Sequence, residues 1–136
     1  HKNLPKGASG YFCRGELIQE FSADTAACLV IKKAIFEQVG GLEEEHLKIA
    51  FNDVDLCLKV QEAGYVNVWT PFAELYHHES ATRGFEDTPQ KQARFSTEIE
   101  YIKSRWPNIQ NDYAYNQNLT LDYEDFSLAW PPRVHA

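Results

Sequence analysis

Two blocks of this chain, read together, leave few folds open. They are Phe51-Asn52-Asp53-Val54-Asp55-Leu56-Cys57-Leu58, closed by Gly64-Tyr65, and Tyr76-His77-His78-Glu79-Ser80 behind it. Over residues 53–63, Val54, Cys57, Leu58 and Gln61 follow helical spacing, Asn52 is a natural N-cap, and Ala63-Gly64 closes the last turn. Residues 66–70 alternate as a strand until Pro71 interrupts them, and residues 73–77 read as a further short extended segment. Acids therefore sit at a helix start and imidazoles beyond the strand that follows it.

The rest of the chain fits the same α/β class. Ala26-Ala27-Cys28-Leu29-Val30-Ile31 is a continuous apolar run, the pattern of a central strand buried on both faces. Residues 33–39 predict a short helix that stops at Gly40, because Gly40-Gly41 supplies the left-handed position only glycine adopts cheaply. Asp87 or Thr88 caps a third helix with Pro89 in its first turn; Phe95, Ile99, Ile102 and Trp106 form its apolar face, and Pro107 ends it. Residues 1–25 show no hydrophobic period. Residues 108–136 read as an irregular tail wrapped on the surface and anchored by Tyr113, Tyr115, Leu119, Phe126 and Trp130.

Composition excludes several classes. With 136 residues, 43% of them hydrophobic, the chain is one domain's worth, 1–136, or a piece of one. A formal charge of -7 and a pI near 5.2, without clustered Lys and Arg, argue against nucleic acid as a partner. The run 26–31 falls far short of the roughly 20 residues a membrane-spanning helix needs, and no apolar signal core opens the chain, so a soluble, unexported protein is expected. Cys13, Cys28 and Cys57 form no CxxC pair, which predicts buried or unreactive thiols in a reducing compartment rather than a disulfide framework or zinc cluster.

Asp53 and Asp55 have an ordinary explanation as carboxylates that cap free N–H groups and face the helix dipole. Residues two apart on a helix point about 200° apart, so one acid can be functional while the other caps. A carboxylate at a helix start that opens onto a cleft suits a general base. A literal Asp53-Val54-Asp55 metal clamp is disfavoured, because the motif would sit at the end of a buried strand and Lys48-Ile49-Ala50-Phe51-Asn52 is a weak one. On an extended segment His77 and His78 point to opposite faces, so at most one addresses a site. Neutral imidazole is a good ligand for divalent metals, yet no second ligand stands at a recognisable spacing. Arg83, in the polar loop that ends at Gly84, could pair with a phosphate through its planar fork; a solvated loop arginine is the plainer reading.

In order, these pieces resemble the inverting family 2 glycosyltransferases of the GT-A type, especially bacterial enzymes that build rhamnose-containing and other surface polysaccharides. The resemblance runs through Ala27-Cys28-Leu29-Val30-Ile31-Lys32-Lys33 with Phe36 and Val39-Gly40-Gly41. It continues through Asn52-Asp53-Val54-Asp55-Leu56-Cys57-Leu58 with Ala63-Gly64-Tyr65, and Trp69-Thr70-Pro71 to Tyr76-His77-His78. It ends in Asn116-Gln117-Asn118-Leu119-Thr120-Leu121 with Glu124-Asp125-Phe126-Ser127-Leu128. It implies a fragment of a GT-A nucleotide-sugar transferase fold: a mixed sheet with flanking helices and an irregular C-terminal tail. It also implies Asp53 as the base that deprotonates an acceptor hydroxyl, and His77 as a ligand of the divalent metal, Mg or Mn, on the donor diphosphate. Asp55, His78, Arg83 and Asn52 become possible substrate contacts. Two departures stand out: Asn52 replaces the first acid of the family's pair, and Leu42-Glu43-Glu44 replaces a more usual Phe-Asp-Glu.

The resemblance covers the acceptor-side, C-terminal part of such an enzyme, and no nucleotide-binding half with a strand-borne DxD precedes Tyr11. The isolated chain is therefore expected to be inactive and to bind no metal. Its parent would be cytoplasmic, perhaps at the inner face of the plasma membrane, taking a nucleotide-sugar donor and a saccharide or lipid-linked acceptor. The rival expectations are a non-catalytic binding or interaction module that keeps this architecture, and a zinc hydrolase using both histidines, for which further ligands are missing.

Overall fold

A computed structural model describes residues 5–76, 88–123 and 125–134. A 3-10 turn, Tyr11–Glu16, precedes strand β1, Gln19–Phe21. A second 3-10 turn, Ala26–Cys28, precedes helices α1, Lys33–Gln38, and α2, Asn52–Glu62. Strand β2, Asn67–Trp69, and helix α3, Pro89–Arg105, follow.

Helices α1 and α2 stop for the same local reason. Past α1, the Gly41 N–H donates to the Phe36 carbonyl and the Gly40 N–H to Glu37; past α2, Tyr65 donates to Val60 and Gly64 to Gln61. Both pairs satisfy carbonyls that a helix end leaves orphaned, and both need a left-handed residue, supplied by Gly40 at φ 81° and Gly64 at φ 85°. Helix α3 begins as expected, with the Thr88 hydroxyl accepting the Lys91 N–H and Pro89 in the first turn.

The sheet differs from expectation. Among the described residues it has two antiparallel strands and is not mixed: β1 pairs with β2 in the register Gln19–Trp69, Glu20–Val68 and Phe21–Asn67. Strand β1 lies in the stretch whose sequence shows no period; a three-residue strand is too short for alternation to register, and its partner is distant in sequence. The predicted central strand 26–31 is not one. Residues 26–28 form the 3-10 turn, where the Thr25 hydroxyl accepts the Ala27 N–H, and Leu29 is extended with φ -124° and ψ 132°. Val30 is 96% exposed. An apolar run signals burial, but only neighbouring strands can deliver it, and none flanks this segment among the described residues. Residues 74–76 likewise carry no regular strand, and His77 lies outside the described residues.

The core is small. Leu56, Cys57 and Val60 of α2, Ile102 of α3, Leu47 of the loop before α2, and Leu119 and Ala129 of the tail make up the buried apolar residues. Cys57 is buried as expected, whereas Cys13 and Cys28 are exposed. The tail folds back on itself: the Thr120 N–H donates to the Ser127 carbonyl and the Ala129 N–H to Asn118, around a Leu119–Leu128 bridge. Arg133 ties it down through the Leu119 and Gln110 carbonyls, and Phe126 stacks on Tyr11 with ring centroids 4.4 Å apart. Tyr113 and Trp130, expected as anchors, are exposed instead. Among the described residues no helix is long and apolar enough to cross a membrane.

Candidate active site

The start of α2 is set from α3. Glu98, buried on α3, accepts the Ile49 N–H through Oε1 and the Ala50 N–H through Oε2, each at 3.1 Å, and Arg94 Nε lies 3.6 Å from Oε1. Two successive amides aimed at one carboxylate form an anion-binding nest. The chain then turns sharply at Phe51, which caps α2 with a left-handed φ of 64°, while its ring stacks on Phe95 with centroids 5.5 Å apart.

Asn52 is not the N-cap predicted from its type. It is the first residue of α2, and its side chain reaches back to the preceding loop: Oδ1 accepts the Glu43 N–H at 2.8 Å and Nδ2 donates to the Leu47 carbonyl. Glu43 in turn accepts the Glu45 and His46 N–H groups through Oε1, and these two amides hold its carboxyl down to about 2. His46 stacks on Tyr101 of α3 with centroids 4.5 Å apart.

The two acids of the first turn diverge as helix geometry requires. Asp53, partly exposed, accepts the Val54 N–H through Oδ1 at 2.9 Å and the Ala26 N–H through Oδ2 at 3.1 Å. It therefore joins the start of α2 to the turn 26–28. Asp55 is 2% exposed, accepts the Trp106 indole N–H at 2.9 Å and pairs with Lys59 Nζ at 3.0 Å. Lys59 also donates to the Gly41 carbonyl at 2.6 Å. A buried carboxylate needs such partners, because an unpaired one would be costly. The polar atoms of Asn52 and Asp55 are thus occupied by protein groups. His77, His78 and Arg83 lie outside the described residues.

Beside Asp53 runs an open cleft of about 780 Å³. Leu56, Cys57 and Val60 line it, together with the extended residues 29–31 and strand β2. The carboxylate on its wall is Asp24, which the sequence reading did not single out and whose carboxyl is pushed up by burial. Burial likewise pushes the Cys57 thiol up, the negative charges of Asp24 and Asp53 adding to it, so Cys57 stays a neutral thiol and donates to the Asp24 carbonyl. Glu98 was missed as well. Its signal was legible: an acid three residues after Phe95 and four before Ile102 interrupts the apolar stripe of α3. Among the described residues no three His, Cys, Asp or Glu converge to hold a cation, so the donors in view do not make a metal site.

No family model matches this chain. No solved structure matches it either. Curated relatives do. The chain is 60% identical over 132 residues to the uncharacterized protein y4gI of Sinorhizobium fredii, covering 96% of this chain and 14% of that protein. It is 32% identical over 131 residues to the O-antigen biosynthesis protein RfbC of Myxococcus xanthus, covering 95% of this chain and 10% of RfbC. It is 28% identical over 81 residues to the N-acetylglucosaminyl-diphospho-decaprenol L-rhamnosyltransferase of Mycobacterium tuberculosis, covering 60% of this chain and 26% of that enzyme. The names of the latter two fit a glycosyltransferase family, and the chain spans about a quarter or less of each relative's length.

Proposed function

We propose that this chain is the acceptor-side part of an inverting glycosyltransferase of the GT-A type, with Asp53 as its general base. The observation that carries the reading is the setting of Asp53: a partly exposed carboxylate in the first turn of α2, oriented by the Ala26 and Val54 amides. The relatives named for O-antigen biosynthesis and for rhamnosyl transfer support the same reaction class. Each carboxylate oxygen has two lone pairs. One amide per oxygen holds the group still and leaves room for an acceptor hydroxyl.

In the reaction, Asp53 takes the proton of the acceptor hydroxyl as its oxygen bonds to the anomeric carbon of the donor sugar. The bond from that carbon to the nucleoside diphosphate breaks on the opposite face, the electron pair leaves with the diphosphate, and the configuration inverts. The parent would act in the cytoplasm, at the inner face of the plasma membrane, on a nucleotide-sugar donor and a saccharide or lipid-linked acceptor. The resemblance brings a Mg or Mn ion with His77 as ligand, and His78 and Arg83 as substrate contacts. No step here is routed through the ion. Asn52 and Asp55 serve the architecture in this reading.

The isolated chain should bind no nucleotide sugar at micromolar strength by calorimetry and transfer none. In a longer polypeptide carrying this stretch, Asp53→Asn should cut transfer by about 10²–10⁴-fold and leave donor affinity near normal. Near-normal turnover would overturn the assignment. One observation favours a second reading, a non-catalytic module: both Asp53 oxygens accept backbone amides, as a purely structural cap would. The same variant separates the two, since a module gives no transfer to lose.

A further inference from the structure

The apolar residues around the cleft are on the wrong side of the hydrophobic effect. Val30 is 96% exposed, Leu75 70%, Val66 56% and Val68 55%. All four line the same cleft. Folded monomers seldom leave apolar residues gathered in this way unless something covers them. Polar backbone is open at the same place. Among the described residues no group hydrogen-bonds the backbone N–H or C=O of Val30 or Ile31, although Leu29 before them is extended. The cleft thus lies between two extended segments, residues 29–31 and strand β2, and offers an apolar floor formed by Leu56, Cys57 and Val60. Those are the three things an added β-strand requires: a free edge, pockets for alternate side chains, and a surface to bury them on.

We infer that this cleft receives an apolar β-strand from polypeptide lying outside these 136 residues, which pairs with the Val30–Ile31 edge and completes the sheet. The relatives say where such a strand would come from. The matched stretch is 14% of y4gI, so 86% of that protein lies beyond it, and still more of RfbC does. A partner in the same polypeptide also fits a two-stranded sheet of three-residue strands, which has little stability alone. The inference rests on the chain being one part of a larger folded unit, and is independent of the chemistry assigned to Asp53.

Hydrogen–deuterium exchange tests it on two proteins: this chain alone, and a chimera of y4gI in which residues 1–136 replace the matching stretch. Peptides spanning 29–31 should exchange at the unprotected rate in the chain alone and at least about tenfold more slowly in the chimera. Val30→Asp should lower the chimera's unfolding temperature and leave that of the isolated chain unchanged. If the chimera fails to fold, intact y4gI and its excised 132-residue matching stretch carry the same comparison. Equal exchange in the two contexts overturns the inference. Protection of the isolated chain that rises with concentration, together with a dimer in sedimentation, overturns it in favour of a second copy as the occupant. A chimera that protects 29–31 yet transfers no sugar counts against the proposed activity and leaves this inference standing.

Discussion

The indole of Trp106 donates its N–H to the carboxylate of Asp55 at 2.9 Å, closing 51 residues of chain into one contact between the end of α3 and the first turn of α2. Lys59 completes the arrangement one helical turn along α2. Removing one partner of a buried charge pair costs more than the pair itself is worth, because the other is left unsatisfied. Asp55→Ala should therefore destabilise the chain by about 3–5 kcal/mol, and Trp106→Phe by about 1–3 kcal/mol, measured as shifts of the urea unfolding midpoint. A larger loss for Trp106→Phe would mean that the ring's packing, and not the carboxylate, governs this contact.

Glu98 makes a separable prediction. Glu98→Gln keeps one acceptor for the Ile49 or Ala50 amide and loses the charge that faces Arg94. Hydrogen bonds to a charged group are worth about 1.5–3 kcal/mol each, so a loss of about 2–4 kcal/mol is expected in equilibrium unfolding. Because the nest leads directly into Phe51, amides 49–51 should lose exchange protection before the rest of α2. Uniform loss across α2 would place the role of Glu98 in global packing.

Acid stability should report on Glu43. Its carboxyl falls from 4.5 to about 2 in the fold because the His46 and Glu45 amides stabilise the ionised form. A depressed carboxyl contributes stability that is complete above the unfolded value and is lost as pH falls. The gap in stability between the native chain and Glu43→Gln should be constant above about pH 5, shrink from about pH 4.5, and vanish near pH 2. A gap that persists at pH 2 would mean the side chain's packing, and not its charge, matters.

The two glycines after α1 should differ. Gly40→Ala meets only the cost of a left-handed alanine, about 1–2 kcal/mol, since nothing lies within 4 Å of the added carbon. At Gly41 the same φ penalty applies, and the new Cβ would stand 3.0 Å from the Phe36 ring. Gly41→Ala should therefore have the lower unfolding temperature by differential scanning calorimetry.

How far the chain was legible depended on how local each signal was. The ends of α1, α2 and α3 follow from Gly40, Gly64, Thr88 and Pro89 acting on neighbours a few residues away, and all were predictable. Strand β1 was not, because three residues carry no period and its partner lies in residues 67–69. The run 26–31 misled, because apolarity measures the wish for burial and says nothing of who supplies it. At the site, the acids were visible, but Asn52 was given the wrong partner: a helix-start asparagine usually caps its own helix, and here the loop amide of Glu43 claims it.

The sequence by itself determined that two acids share the first turn of α2 and that helical spacing sends them different ways. Which acid is buried and which stays open was decided only by the tertiary structure. Trp106 and Lys59 enclose Asp55, while the Ala26 amide holds Asp53 beside the surface. The physical reason is that a carboxylate's environment is built by groups brought from far along the chain. Helical periodicity sets direction, and only packing sets the dielectric and the partners that await in that direction.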